Sequence, residues 1–87
     1  MYRVQLLDSA ADDLRRLDRT IARRLLRRIE WLAENLEVVN RERLTGQFAG
    51  LLKFRVGDYR ILYEVIDAEQ LIIVHIIGHR RDIYHRR

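Results

Sequence analysis

Apolar and polar positions change their spacing twice along this chain, and the changes predict the order of its elements. Residues 2–6, YRVQL, alternate as a short strand does, with successive side chains facing opposite ways. From Ser9 the repeat lengthens, and Ser9 followed by Asp12 predicts a capping-box-like helix start, with the helix running to about Leu17. Ile21, Leu25, Ile29, Leu32 and Leu36 then recur at i, i+4, i+8, i+11 and i+15, a second helix with one stripe turned to a core. A residue or two between them predicts an antiparallel helical hairpin. Residues 38–50, with Gly46 and Gly50, lose the period and read as a loop holding at most a short turn of strand.

Period two then returns for residues 51–56, 59–66 and 71–77, three antiparallel strands. In the first, Leu52, Phe54 and Val56 share one face while Lys53 and Arg55 share the other. Gly57-Asp58 is suited to a two-residue hairpin turn, and folding there sets Val56 opposite Tyr59, Phe54 opposite Ile61, Leu52 opposite Tyr63, and Arg55 opposite Arg60. The segment LIIVHII is apolar on both faces and predicts a central, covered strand. With residues 67–70 as a loop, Ile66 pairs with Leu71 and His75 falls opposite Leu62. The expectation is an α+β fold: an N-terminal strand, an antiparallel helical hairpin and a three-stranded antiparallel meander, together one antiparallel sheet with helices packed on one face. At 87 residues and 48% hydrophobic content, residues 1–87 form a single domain.

The other sheet face is where chemistry enters. Like charges facing each other across a ladder cost about 0.2–1 kcal/mol, so folding alone does not favour Arg55 opposite Arg60. An anion on that face would. The whole chain leans the same way, with 17 Lys+Arg against 13 Asp+Glu, a net charge of +4 and a pI near 10.1. Sixteen of the cations are arginines, which leaves Lys53 as the lone lysine. Beyond the last strand, Gly78 allows a tight exit that delivers His79, Arg80 and Arg81 towards the same edge, with Tyr84 close by. As a histidine, the residue type suited to general acid or base work near neutral pH, His79 is a candidate for either role. His75, inside an apolar strand, reads as a core histidine, and Tyr59 and Tyr63 as core. Arg19, Arg23, Arg24, Arg27 and Arg28 read as a solvated helix face, with RNA or a protein partner as the other uses.

Cysteine is absent, which excludes disulfides and thiolate metal sites, and His75, His79 and His85 lack carboxylates at ligand spacing, so no metal is expected. The start MYRVQLLDSA has no long apolar segment, which predicts a cytoplasmic protein with no membrane association.

The stretch VGDYRILYEV followed by LIIVHIIGHRRDIY, with SAADDLRRLD and RLTGQFAGLLKFRVGDYR before it, resembles the RelE/ParE superfamily of bacterial toxins over nearly the whole chain. What the resemblance implies is a RelE-like toxin of a type II toxin-antitoxin system: an endoribonuclease that cuts mRNA in the ribosomal A site and needs no cofactor. It also implies partners: mRNA, the ribosome, and an acidic antitoxin, partly disordered when free, in a higher-order complex that binds operator DNA through the antitoxin. On the family's pattern Lys53, Arg60, Arg80 and Tyr84 are the catalytic set, Arg55 and Arg81 bind RNA phosphate, and His79 is a further acid/base candidate. Leu51 stands where well-studied RelE enzymes have a second lysine, and the segment from Arg80 to Tyr84 is shorter than theirs. The alternatives are a ParE-like non-enzymatic inhibitor of DNA gyrase and a catalytically decayed toxin that still binds its antitoxin.

Overall fold

The computed structural model describes residues 1–85, and its elements follow the period changes closely. Strand β1 (Arg3–Leu6) leads into helices α1 (Asp8–Arg16) and α2 (Arg19–Asn35); strands β2 (Glu42–Arg43), β3 (Leu52–Val56), β4 (Tyr59–Ile66) and β5 (Leu71–His79) complete the sheet. The α2 stripe does what its spacing predicts: Leu25, Ile29, Leu32 and Leu36 are buried against Leu52, Val56, Ile61, Tyr63, Ile72 and Val74. Each such aliphatic side chain contributes about 1.5–3 kcal/mol by leaving water. The α2 start is capped by Asp18, whose carboxylate accepts from the Thr20 N–H at 3.0 Å.

Sheet order is β1-β5-β4-β3-β2. The β3–β4 hairpin has the predicted register throughout, including Arg55 opposite Arg60, and its turn needs Gly57 at φ +59°. A Cβ there would also lie 2.7 Å from Nη2 of Arg24 on α2. The expected all-antiparallel sheet is corrected at one edge: β1 runs parallel to β5, Arg3 beside Leu71 and Leu6 beside Val74, so the sheet is mixed. Hairpin turns fix the direction of β3, β4 and β5. No turn joins β1 to its neighbour, so the local pattern carries no sign of its direction.

Three further expectations change for identifiable reasons. Ser9 does not cap α1; its hydroxyl donates to the His75 carbonyl at 2.6 Å, and the N-cap position, Leu7, has no side-chain cap. His75 does not face Leu62. Ile66 pairs with Leu71 as expected, but Tyr63 then pairs with Val74 and Leu62 with Ile76, so His75 is the extra residue of a bulge. Nor is the second sheet face left open. A 3₁₀ turn at Ile83–His85 folds back over it, and Ile83 and Leu62 are both fully buried outside the helix-side core. Ile83 rests against Gly78, where a Cβ would lie 3.4 Å from its own.

Beyond Leu6, β1 ends while β5 continues, and α1 takes over that edge. Ser9 binds the His75 carbonyl, and the buried carboxylate of Asp13 accepts from the Ile77 N–H at 2.9 Å. Two side chains thus satisfy backbone groups that a strand would otherwise pair.

Candidate functional site

Strand β3 presents Lys53 on the face away from the helices, and three elements meet around it. From β2, Glu42 sits directly opposite Lys53 in the ladder, and its Oε2 lies 2.7 Å from the Lys53 Nζ. From the C-terminal turn, the Tyr84 ring centroid is 5.9 Å from the same Nζ. Phe48, from the loop before β3, meets Tyr84 edge-on at 6.4 Å between centroids. The Lys53 side chain is only 13% exposed as a result. Arg55, one strand repeat further on, reaches the same Glu42 oxygen at 3.5 Å.

Glu42 was not among the residues singled out in the sequence. Its carboxyl is held below the usual range, first by the Lys53 hydrogen bond and then by the charges of Lys53 and Arg55. Sequence spacing gives no hint of it, because β2 is two residues long and lies in a stretch without period. Lys53 therefore has an anion as its closest charged neighbour, where the sequence led one to expect cations alone.

The remaining predicted residues divide between two places. Arg60 and Arg80 gather at the hairpin end: Arg60 Nη1 donates to the carbonyls of Gly57 and Tyr59, both at 2.9 Å. Arg80 lies beside Asp58, its backbone N–H donating to the Asp58 carbonyl at 2.8 Å and its Nε 3.6 Å from the Asp58 carboxylate. Arg60 shares the Lys53 face, since it stands opposite Arg55, about 7 Å along the strand from Lys53. Arg81 is exposed and its N–H donates to His79 Nδ1 at 3.1 Å.

His79 departs from expectation. Without a bulge it would fall on the Lys53 face; the extra residue at His75 shifts the phase by one and sets it opposite Tyr59, on the helix side. There its ring meets Tyr59 edge-on at 5.5 Å, in a cleft of about 360 Å³ shared with Asp13 and Arg16. It does not join Lys53 and Tyr84. His75 does have a carboxylate neighbour, Glu64 Oε1 at 2.7 Å from its Nε2. Among the described residues, no group of three or more histidines and carboxylates is placed to hold a metal ion, and no helix is long and apolar enough to cross a membrane.

The β-α-α-β-β-β-β order and its single mixed sheet are shared with solved structures of toxin–antitoxin proteins. The toxin–antitoxin complex RelBE2 from Mycobacterium tuberculosis is similar over 93% of this chain and 93% of that one, with a TM-score of 0.81 and 27% identity. An archaeal RelE–RelB complex from Pyrococcus horikoshii covers 93% of this chain and 97% of its own at a TM-score of 0.69 and 26% identity. The isolated RelE toxin of E. coli covers 98% and 93% at a TM-score of 0.74, with 20% identity. No curated protein matches the sequence. Residues 4–84 match the family described as the ParE toxin of type II toxin-antitoxin system, parDE, and the chain belongs to that family, within the RelE/ParE toxin superfamily.

Proposed function

We propose that this toxin is an endoribonuclease that cleaves mRNA on the ribosome, with Lys53, Arg60, Arg80 and Tyr84 as its catalytic set and Arg55 and Arg81 as phosphate contacts. The observation that carries this is the meeting of Lys53 from mid-sheet with Tyr84 from the C-terminal turn, 31 positions later, with Nζ 5.9 Å from the ring. Cleavage needs the RNA 2′-hydroxyl to lose its proton, attack the adjacent phosphorus and expel the 5′-oxygen, which takes up a proton. Lys53 and Tyr84 handle these protons, and the arginines stabilise charge on the phosphoryl oxygens as the pentacoordinate state forms. Arg60 uses Nη1 for the turn carbonyls, which leaves Nε and Nη2 of its fork for phosphate. His79 has no part in this scheme, because it faces the helices.

The antitoxin, acidic and partly disordered when free, folds over the cationic face in this proposal, and the complex binds operator DNA through it. A non-enzymatic inhibitor of DNA gyrase is the second candidate, favoured by the ParE description of the matching family. The two are separated by primer extension on mRNA from a cell-free translation reaction, with wild type beside Lys53→Ala and Arg60→Ala. Discrete cuts within translated codons that vanish in both variants are expected. Intact mRNA with the wild-type protein would sink the nuclease and turn attention to a supercoiling assay.

A further inference from the structure

Around the edge of β3, beyond the short pairing with β2, runs an open groove of about 340 Å³. Its lining includes Arg28, Trp31, Glu42, Lys53, Phe54 and Arg55, three cations to one carboxylate, beside two valines and an asparagine. Trp31 is the chain's only tryptophan, and at 38% exposure it stands outside the core. Its ring is nonetheless held: Phe54 lies nearly parallel to it, 9° between planes and 6.2 Å between centroids, and the Arg28 guanidinium carbon is 4.5 Å from its centroid. At the other end of the same groove, Lys53 lies against Tyr84, which is 39% exposed. The groove therefore joins two aromatic–cation pairs, Lys53 with Tyr84 and Arg28 with Trp31, and Arg55 also lines it.

We propose that this groove is a single-stranded RNA path, in which the strand leaves Lys53 around the edge of β3 and a base stacks on Trp31 while Arg28 and Arg55 hold the flanking phosphates. The chemistry fits a nucleic acid strand because every base has a ring face and every link a phosphate. An acidic peptide would want an enclosed apolar pocket for an anchoring side chain, and the groove is open. The path extends the substrate site of the proposed nuclease and rests on that reading. It implies little base preference along the groove, since stacking reads no hydrogen-bonding edge.

Because Trp31 is the sole tryptophan, its fluorescence reports on the groove alone. The probe is a 2′-O-methyl oligoadenylate of about eight nucleotides, within the usual range for a strand-binding groove. It lacks the free 2′-hydroxyl and is not cut, so binding is measured apart from cleavage. Saturable quenching of Trp31, weakened steeply by salt, is expected. By anisotropy of a labelled probe, Trp31→Ala is expected to bind about ten-fold more weakly, Trp31→Phe to keep most of the affinity, and Arg28→Ala to weaken it with a shallower salt slope. Binding by anisotropy with unquenched Trp31 and an unchanged Trp31→Ala affinity would place RNA elsewhere and overturn the path. So would quenching by polyglutamate that the oligonucleotide cannot reverse, since the groove would then be a peptide site. Quenching without mRNA cleavage in translation would remove the nuclease and leave the RNA groove; cleavage without quenching would do the reverse.

Discussion

Glu42 is the residue that alters the chemistry of the site most. It places a carboxylate where a phosphate would approach Lys53 and Arg55, so the free protein already holds an anion in its cationic site. Replacing it with glutamine is expected to raise affinity for the 2′-O-methyl oligonucleotide about three- to five-fold at low salt, while Glu34→Gln, the same charge change on α2, leaves it unaltered. Tyr63 makes the opposite point. Its hydroxyl is buried without a hydrogen-bond partner among the described residues, and burial pushes its phenol pKa up. Tyr63→Phe is therefore expected to keep the fold and raise the unfolding free energy by up to about 1 kcal/mol, as read from urea unfolding. Lys53 was legible in the sequence because alternation placed it beside Arg55 on a face where folding gained nothing from charge. Glu42 was not, because its partner is eleven positions away across a strand too short to show a period.

At the scale of elements, a single inserted residue governs which side chains share the site. The bulge at His75 turns Gly78 towards Ile83 and His79 towards Tyr59. No glycine or proline marks it, so period-two reading carried the register past it unchanged. The C-terminal turn depends on this phase, since Ile83 seats on the hydrogen-only Gly78. Ile83→Ala is expected to cost about 2–5 kcal/mol and to release Tyr84 from Lys53, seen as lower thermal stability together with loss of the proposed cleavage. The edge of β5 that α1 covers gives a cleaner test of that helix. Asp13→Ala leaves the Ile77 N–H without its carboxylate and is expected to cost about 1.5–3 kcal/mol, with faster hydrogen exchange at that amide. Ser9 explains why capping chemistry misled: a hydroxyl at a helix start serves whichever backbone group is nearest, and here that is a strand carbonyl.

At the scale of the whole molecule, three distant segments are tied by one carboxylate. Asp67, after β4, accepts from Arg41 at two 3.1 Å contacts and from the Tyr2 hydroxyl at 2.7 Å, which lowers its pKa below the ordinary 3.8, Arg41 first and Tyr2 next. A lowered carboxylate pKa stabilises the fold above the unfolded-state value and ceases to do so as pH falls through the folded one. Wild type should thus be more stable than Asp67→Asn near neutral pH, with the difference shrinking below about pH 3.8 in thermal melts. The layered α+β fold was readable from period changes alone; the parallel seam was not, because it joins residues 68 positions apart, Arg3 and Leu71. That seam gives the protein a built-in delay. In chain order β1 has no sheet partner until β5 follows, and Tyr84 comes later than both. A fold closed this way waits for its most distant pairing, and Lys53 meets Tyr84 only once both ends of the sheet have been made.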